Sequence, residues 1–116
     1  MTKPQITIED FEKVDMRVGT VVDVQDFPEA RQPAFKLWID FGEEIGIKKS
    51  SAQLVGAHTK EELIGMSVVC VVNFAPRQVG PFMSEVLTLG FTNTTGEGYV
   101  LITPSKSSVE PGDRLR

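Results

Sequence analysis

The sequence predicts an all-β domain built around a small barrel, and three segments carry that prediction. Met16–Val24 is rich in β-branched residues, Ala34–Phe41 alternates with a period of two, and Val68–Val72 is a continuous apolar run. β-Branching, a period of two and a short apolar run bounded by turn residues are each typical of strands. With 116 residues, the chain has the usual size of one domain, and we expect residues 1–116 to form a single one.

The chain begins with a short helical turn followed by the first strand. Thr7 with Asp10 three residues later is a variant of the capping box, which predicts a helix start. Met16–Val24 then forms the first strand, in which Gly19 indicates a bulge or a sharp bend. Residues 27–33 contain two prolines and are therefore a loop. This loop leads into the second strand.

The second strand defines an inner and an outer face. Because side chains alternate along a strand, residues 35, 37 and 39 point inward and residues 36, 38 and 40 point outward. The inward set is Phe35, Leu37 and Ile39, and the outward set is Lys36, Trp38 and Asp40. Ile45–Ser50 returns as the hairpin partner of this strand.

The second half of the chain supplies one helix and the remaining strands. Ser51–Leu63 is the only central stretch suited to a helix, and Ser67–Phe74 predicts a buried central strand. Two prolines and a glycine make Ala75–Met83 a long loop. Ser84–Phe91 alternates and predicts a fifth strand, and Tyr99–Thr103 completes a short extra hairpin.

This element order predicts a specific architecture. A helix between the third and fourth strands is the order of the OB-fold, a five-stranded, partly open Greek-key barrel. We therefore expect an OB-fold barrel with a short N-terminal helical turn, a helix between strands 3 and 4, and a C-terminal extension.

Residues for catalysis, metal binding and phosphate binding are scarce. His58 is the only histidine and Cys70 the only cysteine, and no glycine-rich phosphate loop is present. Cys70 is expected to be a buried apolar residue and His58 a solvated loop residue. The sequence therefore predicts a protein that is not an enzyme, with no catalytic residue, no metal and no cofactor.

Charge and hydropathy restrict the cellular location and the binding partners of the protein. The net charge of −4 argues against general coating of DNA, although a local basic patch can act within an acidic chain. The longest uncharged run, Ile64–Pro76, has 13 residues, whereas a membrane-spanning helix needs about 20. No signal peptide is recognisable. We expect a cytoplasmic protein that does not insert into membranes.

The candidate binding site lies on the face where OB barrels hold their ligands. That face is formed by strands 2 and 3 and flanked by the loops after strands 1 and 4. Cations there would neutralise phosphates, and aromatic rings would offer stacking surfaces or apolar pockets. The candidate residues are Phe27 and Arg31 of the first loop, Lys36 and Trp38 of strand 2, Lys48, Lys49, Ser50 and Ser51 at the end of strand 3, and Arg77, Phe82, Met83 and Ser84 near the second loop.

Structural alternatives exist for several of these residues. Lys48 and Lys49 are also consistent with an ordinary solvated strand end. Trp38 is also consistent with an aromatic ring covered by the N-terminal turn, by a loop or by a dimer partner. Phe82 and Met83 are also consistent with barrel closure or a dimer contact.

Several motifs resemble a known family. Phe11 with the segment Asp15–Gly19 is similar to the opening of the tRNA-binding domains of methionyl-tRNA synthetases and of small free-standing tRNA-binding proteins. Lys36-Leu37 and Val71–Arg77 fit the second and fourth strands of those domains. The segments Asp26–Arg31, Ile45–Gln53 and Ser84–Leu87 resemble the CsaA-type secretion chaperones, a group of short relatives of those domains.

The resemblance implies an OB-fold homodimer without catalytic activity that binds unfolded or export-destined polypeptides. Binding of tRNA through the OB-fold face is the alternative. Glu85-Val86 stands where the tRNA-binding relatives carry Gly-Met, and a carboxylate beside a phosphate path is repulsive. This departure favours polypeptide over tRNA. A free barrel would leave the N-terminal turn around Ile6 and Ile8 and the C-terminal hairpin with little to pack on, which also predicts a twofold partner.

Overall fold

A computed structural model describes residues 1–116 and contains nine strands and two short helices. Neither helix is long and apolar enough to cross a membrane. The elements are α1 (Ile8–Glu12), β1 (Met16–Asp26), β2 (Phe35–Asp40), β3 (Ile47–Ala52), α2 (Lys60–Leu63), β4 (Ser67–Val71), β5 (Arg77–Val79), β6 (Phe82–Ser84), β7 (Leu87–Thr88), β8 (Gly90–Thr92) and β9 (Tyr99–Leu101).

Five antiparallel strands form a nearly closed barrel in the order β3-β2-β1-β4-β7. The seam between β3 and β7 is joined by the segment that precedes β7, where the backbone N–H groups of Glu85 and Val86 donate to the Lys49 carbonyl at 2.8 and 3.3 Å. The Thr88 hydroxyl also donates to Ser50 Oγ across this seam at 2.8 Å. The predicted all-β, OB-fold-like barrel is confirmed.

The barrel interior holds one main apolar core. The inward residues predicted for β2, namely Phe35, Leu37 and Ile39, are buried, and β2 alternates between buried and half-buried positions along its length. Cys70 is fully buried, and this burial raises the pKa of its thiol to about 12. The thiol therefore stays protonated at neutral pH, as expected for a structural cysteine.

Gly19 does not form the bulge predicted for it. The irregularity of β1 lies between Val21 and Asp23, where β1 pairs with β2. Gly19 instead allows close packing, because a Cβ atom there would lie 2.6 Å from Ile39 Cγ2 and 2.8 Å from the Phe41 ring. Gly19 is thus required by close packing in the barrel interior.

The central helix is shorter than predicted, and His58 is not solvated. Ser51 and Ala52 belong to β3, and only Lys60–Leu63 is helical, after a capping box formed by Thr59 and Glu62. His58 Nε2 accepts the Leu101 N–H at 3.2 Å, and its Nδ1 lies 3.2 Å from Glu62 Oε1. The imidazole therefore joins the start of α2 to β9.

The second loop is an ordered hairpin, which corrects the predicted loop at Ala75–Met83. β5 and β6 pair across the two-residue turn Gly80-Pro81, where Gly80 has φ +55°. A two-residue turn with positive φ at its first position matches the right-handed twist of the flanking strands. The single strand predicted for Ser84–Phe91 is also wrong, because this segment is divided among β6, β7 and β8.

Arg17 fixes the C-terminal extension to the barrel. Its guanidinium donates to both carboxylate oxygens of Asp15, at 2.6 and 3.1 Å, and to the Gly112 carbonyl at 3.0 Å. The hydrogen bond from Arg17 lowers the pKa of the Asp15 carboxyl below its usual value. Gly112 N–H donates in turn to the Val18 carbonyl. The extension is therefore held along β1.

Gly19→Ala is expected to destabilise the barrel by about 1–3 kcal/mol, because the new methyl group would force Ile39 and Phe41 out of their positions. Urea unfolding followed by circular dichroism measures this change. Val22→Ala is the control on the same strand, at an exposed position, with an expected effect within about 0.5 kcal/mol. Equal stability of Gly19→Ala and the wild type would contradict the packing role of Gly19.

Candidate ligand-binding groove

The outer face of β2 and β3 carries part of the predicted site. In the register of this antiparallel pair, Lys36 lies opposite Ser51 and Trp38 lies opposite Lys49. Residues directly opposite each other share a face of the sheet. These four side chains therefore form one polar and aromatic surface.

The β5–β6 hairpin folds over this surface through its aromatic residue. The Phe82 ring packs edge-on against Trp38 and Phe27, with centroid distances of 5.9 and 5.5 Å. Phe27 is 4% exposed and Phe82 8%. We call Phe27, Trp38 and Phe82 the aromatic cluster. It joins the first loop, β2 and the hairpin, so these rings are mainly covered by one another.

Two lysines cover the aromatic cluster. The Lys36 ammonium lies 5.4 Å from the Phe27 ring centroid and 5.8 Å from that of Phe82, and the Lys49 ammonium lies 5.2 Å from the Phe82 centroid. These distances are within the range of cation–π attraction. Neither lysine takes part in an ion pair within the chain. Their charges remain available to an anionic ligand.

A groove of about 440 Å³ separates the first loop from β5. Two exposed arginines line it, Arg31 from the loop and Arg77 from β5, and neither forms an ion pair within the chain. We call this depression the arginine groove. Its full lining is Glu29, Ala30, Arg31, Gln32, Ala34, Ser51, Gln53, Arg77, Gln78, Val79 and Gly80.

A second depression of about 220 Å³ adjoins the arginine groove, because Ser51 and Arg77 line both. Its other polar lining includes Glu85, whose Oε1 accepts the Lys49 backbone N–H at 2.9 Å. Its apolar lining includes Phe74, which is 54% exposed, and Leu87, which is 41% exposed. We call this depression the mixed pocket, since it combines a cation, a fixed carboxylate and apolar side chains.

The structure gathers some of the predicted site residues and separates others. Arg31, Ser51 and Arg77 line the arginine groove, with Lys36 and Lys49 over the aromatic cluster. Lys48 and Ser50 do not join them, because they pair with Ile39 and Leu37 on the inner face. Lys48 and Lys49 therefore point to opposite sides of β3.

The serines and Met83 have different surroundings from those expected. Ser50 is fully buried and bonded to Thr88, and the buried Ser84 hydroxyl accepts the Ser51 N–H at 3.0 Å. Met83 is 39% exposed and lies on the opposite side of the hairpin from Phe82. The Ser50 hydroxyl thus serves the barrel seam, whereas Ser84 joins β6 to β3 and also lines the mixed pocket.

Most of the lining residues were not among the predicted site residues, and Glu85 and Phe74 are two that shape the mixed pocket. Glu85 was recognised as a departure from the tRNA-binding pattern but was not placed in the site. Phe74 lies after Val72 and Asn73, which follow the end of β4, and its exposure was not visible in the apolar run. No cluster of histidine, cysteine and carboxylate residues in the structure could hold a metal ion. The groove can provide ion pairing, hydrogen bonds and apolar contact.

Comparison with protein families gives a match over most of the chain. The family described as "Putative tRNA binding domain" matches residues 16–114. Methionine–tRNA ligases from Nitrosomonas europaea and Leptospira interrogans are 35% and 36% identical over 96% and 97% of this chain. The chain spans only 15% of the length of either ligase.

Solved structures give matches over their full length. A CsaA chaperone protein from Picrophilus torridus is 47% identical, with a TM-score of 0.88, and a chaperone CsaA from Bacillus anthracis is 43% identical with the same TM-score. Each alignment covers 97% of this chain and 100% of the other. A MetRS-related protein from Pyrococcus horikoshii, with 24% identity and a TM-score of 0.83, shares the fold.

Trp38→Ala is expected to destabilise the protein by about 2–4 kcal/mol, because it removes the contact between β2 and the hairpin. Unfolding followed by circular dichroism measures this loss. Trp38→Phe keeps a ring at this position and is expected to cost less than about 1.5 kcal/mol. The wild-type fluorescence should be blue-shifted and poorly quenched by acrylamide. Red-shifted, fully quenched emission would instead place Trp38 in solvent and overturn this role.

Proposed function

The chain belongs to the tRNA-binding domain family, in its CsaA group, and we propose that it is a non-catalytic chaperone that binds unfolded or export-destined polypeptides. The identity of 43–47% to proteins described as CsaA chaperones supports the proposal. The continuity of the arginine groove with the mixed pocket supports it as well. We also place the protein in the cytoplasm.

The position of Glu85 is the observation that carries the proposal. Its carboxylate is tied to the barrel by the Lys49 N–H and shares the mixed pocket with Arg77. A phosphate bound at Arg77 would meet this fixed negative charge, which is repulsive. A polypeptide can place an amide, a cation or an apolar side chain there, beside the exposed Phe74. The pocket therefore suits a polypeptide better than a polyphosphate chain.

Binding of tRNA is the second candidate, and the unpaired cations favour it. Four cations near the hairpin have no carboxylate partner, namely Arg31, Lys36, Lys49 and Arg77. Four phosphate contacts would make tRNA affinity fall roughly a hundredfold between about 50 and 200 mM salt. Polypeptide binding through apolar and main-chain contacts would change far less.

We also propose that the protein is a homodimer. Ile6 and Ile8 at the N-terminus are 70% and 68% exposed. Phe91 and Val100 lie opposite each other on one face of the β8–β9 hairpin and are likewise exposed. A twofold partner would cover such apolar surface, and symmetric pairs are the commonest assemblies.

Glu85→Gln is expected to raise tRNA affinity roughly three- to fivefold at about 50 mM salt, because it removes one repulsive charge. The glutamine carbonyl can still accept the Lys49 N–H, so the barrel seam should stay intact. Affinity for a permanently unfolded protein, such as reduced and carboxymethylated lactalbumin, should change less than about twofold. Titration of labelled tRNA and labelled unfolded protein at two salt concentrations measures both effects.

The control for this experiment is Glu110→Gln, which has the same charge change outside the groove and should leave both affinities unchanged. Arg77→Gln should weaken the binding of both ligands. If the wild type binds tRNA tightly and the unfolded protein not at all, the chaperone function is wrong and tRNA binding takes its place.

Light scattering at micromolar concentration is expected to give a mass of twice the 12.8 kDa of one chain. Phe91→Glu should shift the mass toward the monomer by placing a charge on the exposed apolar face. Val22→Glu adds the same charge at another exposed position and should leave the mass unchanged. A wild-type mass near 12.8 kDa would contradict the dimer.

A further inference from the structure

β5 has one edge that pairs with no other strand. Its only partner is β6, and the two-residue turn between them makes Val79 and Phe82 a hydrogen-bonded pair. Because hydrogen-bonded and non-bonded pairs alternate in antiparallel strands, Gln78 and Met83 are a non-bonded pair. The backbone N–H and C=O of Gln78 therefore point away from β6.

No other segment of the chain satisfies these two backbone groups. The hydrogen bonds between β5 and the remainder of the protein do not include the main-chain N–H or C=O of Gln78. The Gln78 side chain bonds to the Gly80 carbonyl at 3.1 Å and so lies along its own hairpin. A free strand edge of this kind is a template for an extended polypeptide.

The surroundings of the edge indicate the charge of its ligand. Gln78 lines the arginine groove together with Arg31 and Arg77. Both arginines are exposed and have no ion-pair partner in the chain, and Glu29 is the only carboxylate residue lining this groove. Arginine pairs with carboxylates in a bidentate geometry. The groove is therefore complementary to acidic side chains.

We propose that an extended acidic polypeptide segment binds in the arginine groove by adding a strand to the free edge of β5. The Gln78 N–H donates to a ligand carbonyl, and the Gln78 carbonyl accepts a ligand N–H. Carboxylate side chains of the ligand pair with Arg31, which lines the arginine groove but not the mixed pocket that contains Glu85. This inference rests on the proposed polypeptide-binding function and identifies the binding mode and the ligand class.

Gln78→Pro tests the main-chain contact, because proline lacks the N–H but is tolerated at an edge position whose N–H is free. Gln78→Ala is the matched control, since it loses the same side-chain hydrogen bond and keeps the N–H. The probe is a blocked decapeptide of alternating valine and glutamate, and its binding is measured by fluorescence anisotropy. Gln78→Pro should bind it between threefold and tenfold more weakly than Gln78→Ala, at equal melting temperature.

Modified peptides test the same contact without altering the protein. The decapeptide N-methylated at its four central residues should bind the wild type at least threefold more weakly than the unmodified peptide. The lysine analogue should bind more weakly still, because it meets Arg31 with like charge. Hydrogen exchange of the Gln78 amide should slow at least tenfold when the unmodified peptide is added.

Each result decides between distinct outcomes. If Gln78→Pro and the methylated peptide bind as well as their controls, strand addition is wrong while the polypeptide-binding function stands. If the lysine analogue binds best, the ligand class is wrong. A Gln78 amide already protected in the free protein would mean that a second copy occupies the edge, which overturns the proposal. If no peptide or unfolded protein binds the wild type, both the inference and the proposed function fail.

Discussion

The contact of Phe82 with Trp38 and Phe27 is the interaction on which the candidate site depends. It holds a small two-stranded hairpin against the outer face of the barrel, although β5 and β6 have only three residues each. An isolated hairpin is marginally stable in water at best. Burial of the Phe82 ring supplies the apolar contact that the short strands cannot. Both Arg77 and Gln78 take their positions from this docking.

Sequence reasoning predicted the parts of the fold that local patterns determine. The alternation of β2 and the capping box at Thr7 depend on neighbouring residues, and the structure has both. The β5–β6 hairpin was missed because its stability comes from tertiary contacts of Phe82. The separation of Lys48 from Lys49 follows from strand register, which the composition of a short basic run does not reveal.

Glu85 serves both the barrel and the groove. Its main-chain N–H and its carboxylate both bond to the backbone of Lys49, which closes the seam beside β3. The same carboxylate sets the charge of the mixed pocket. In the sequence, Glu85 departs from the tRNA-binding pattern, and its negative charge was an argument against phosphate binding. Its structural role could not be predicted, because it depends on a contact 36 residues away in the chain.

The net charge of −4 disfavours a large anionic ligand more than a small one. Electrostatic interactions of exposed charges are screened beyond about 8–10 Å at physiological salt. A short extended segment in the arginine groove lies within this distance of Arg31 and Arg77 and is little affected by carboxylates elsewhere. A tRNA spreads over a much larger surface and meets those carboxylates as well. A locally basic groove on an acidic chain therefore favours short acidic segments over large polyanions, even though both ligands carry negative charge.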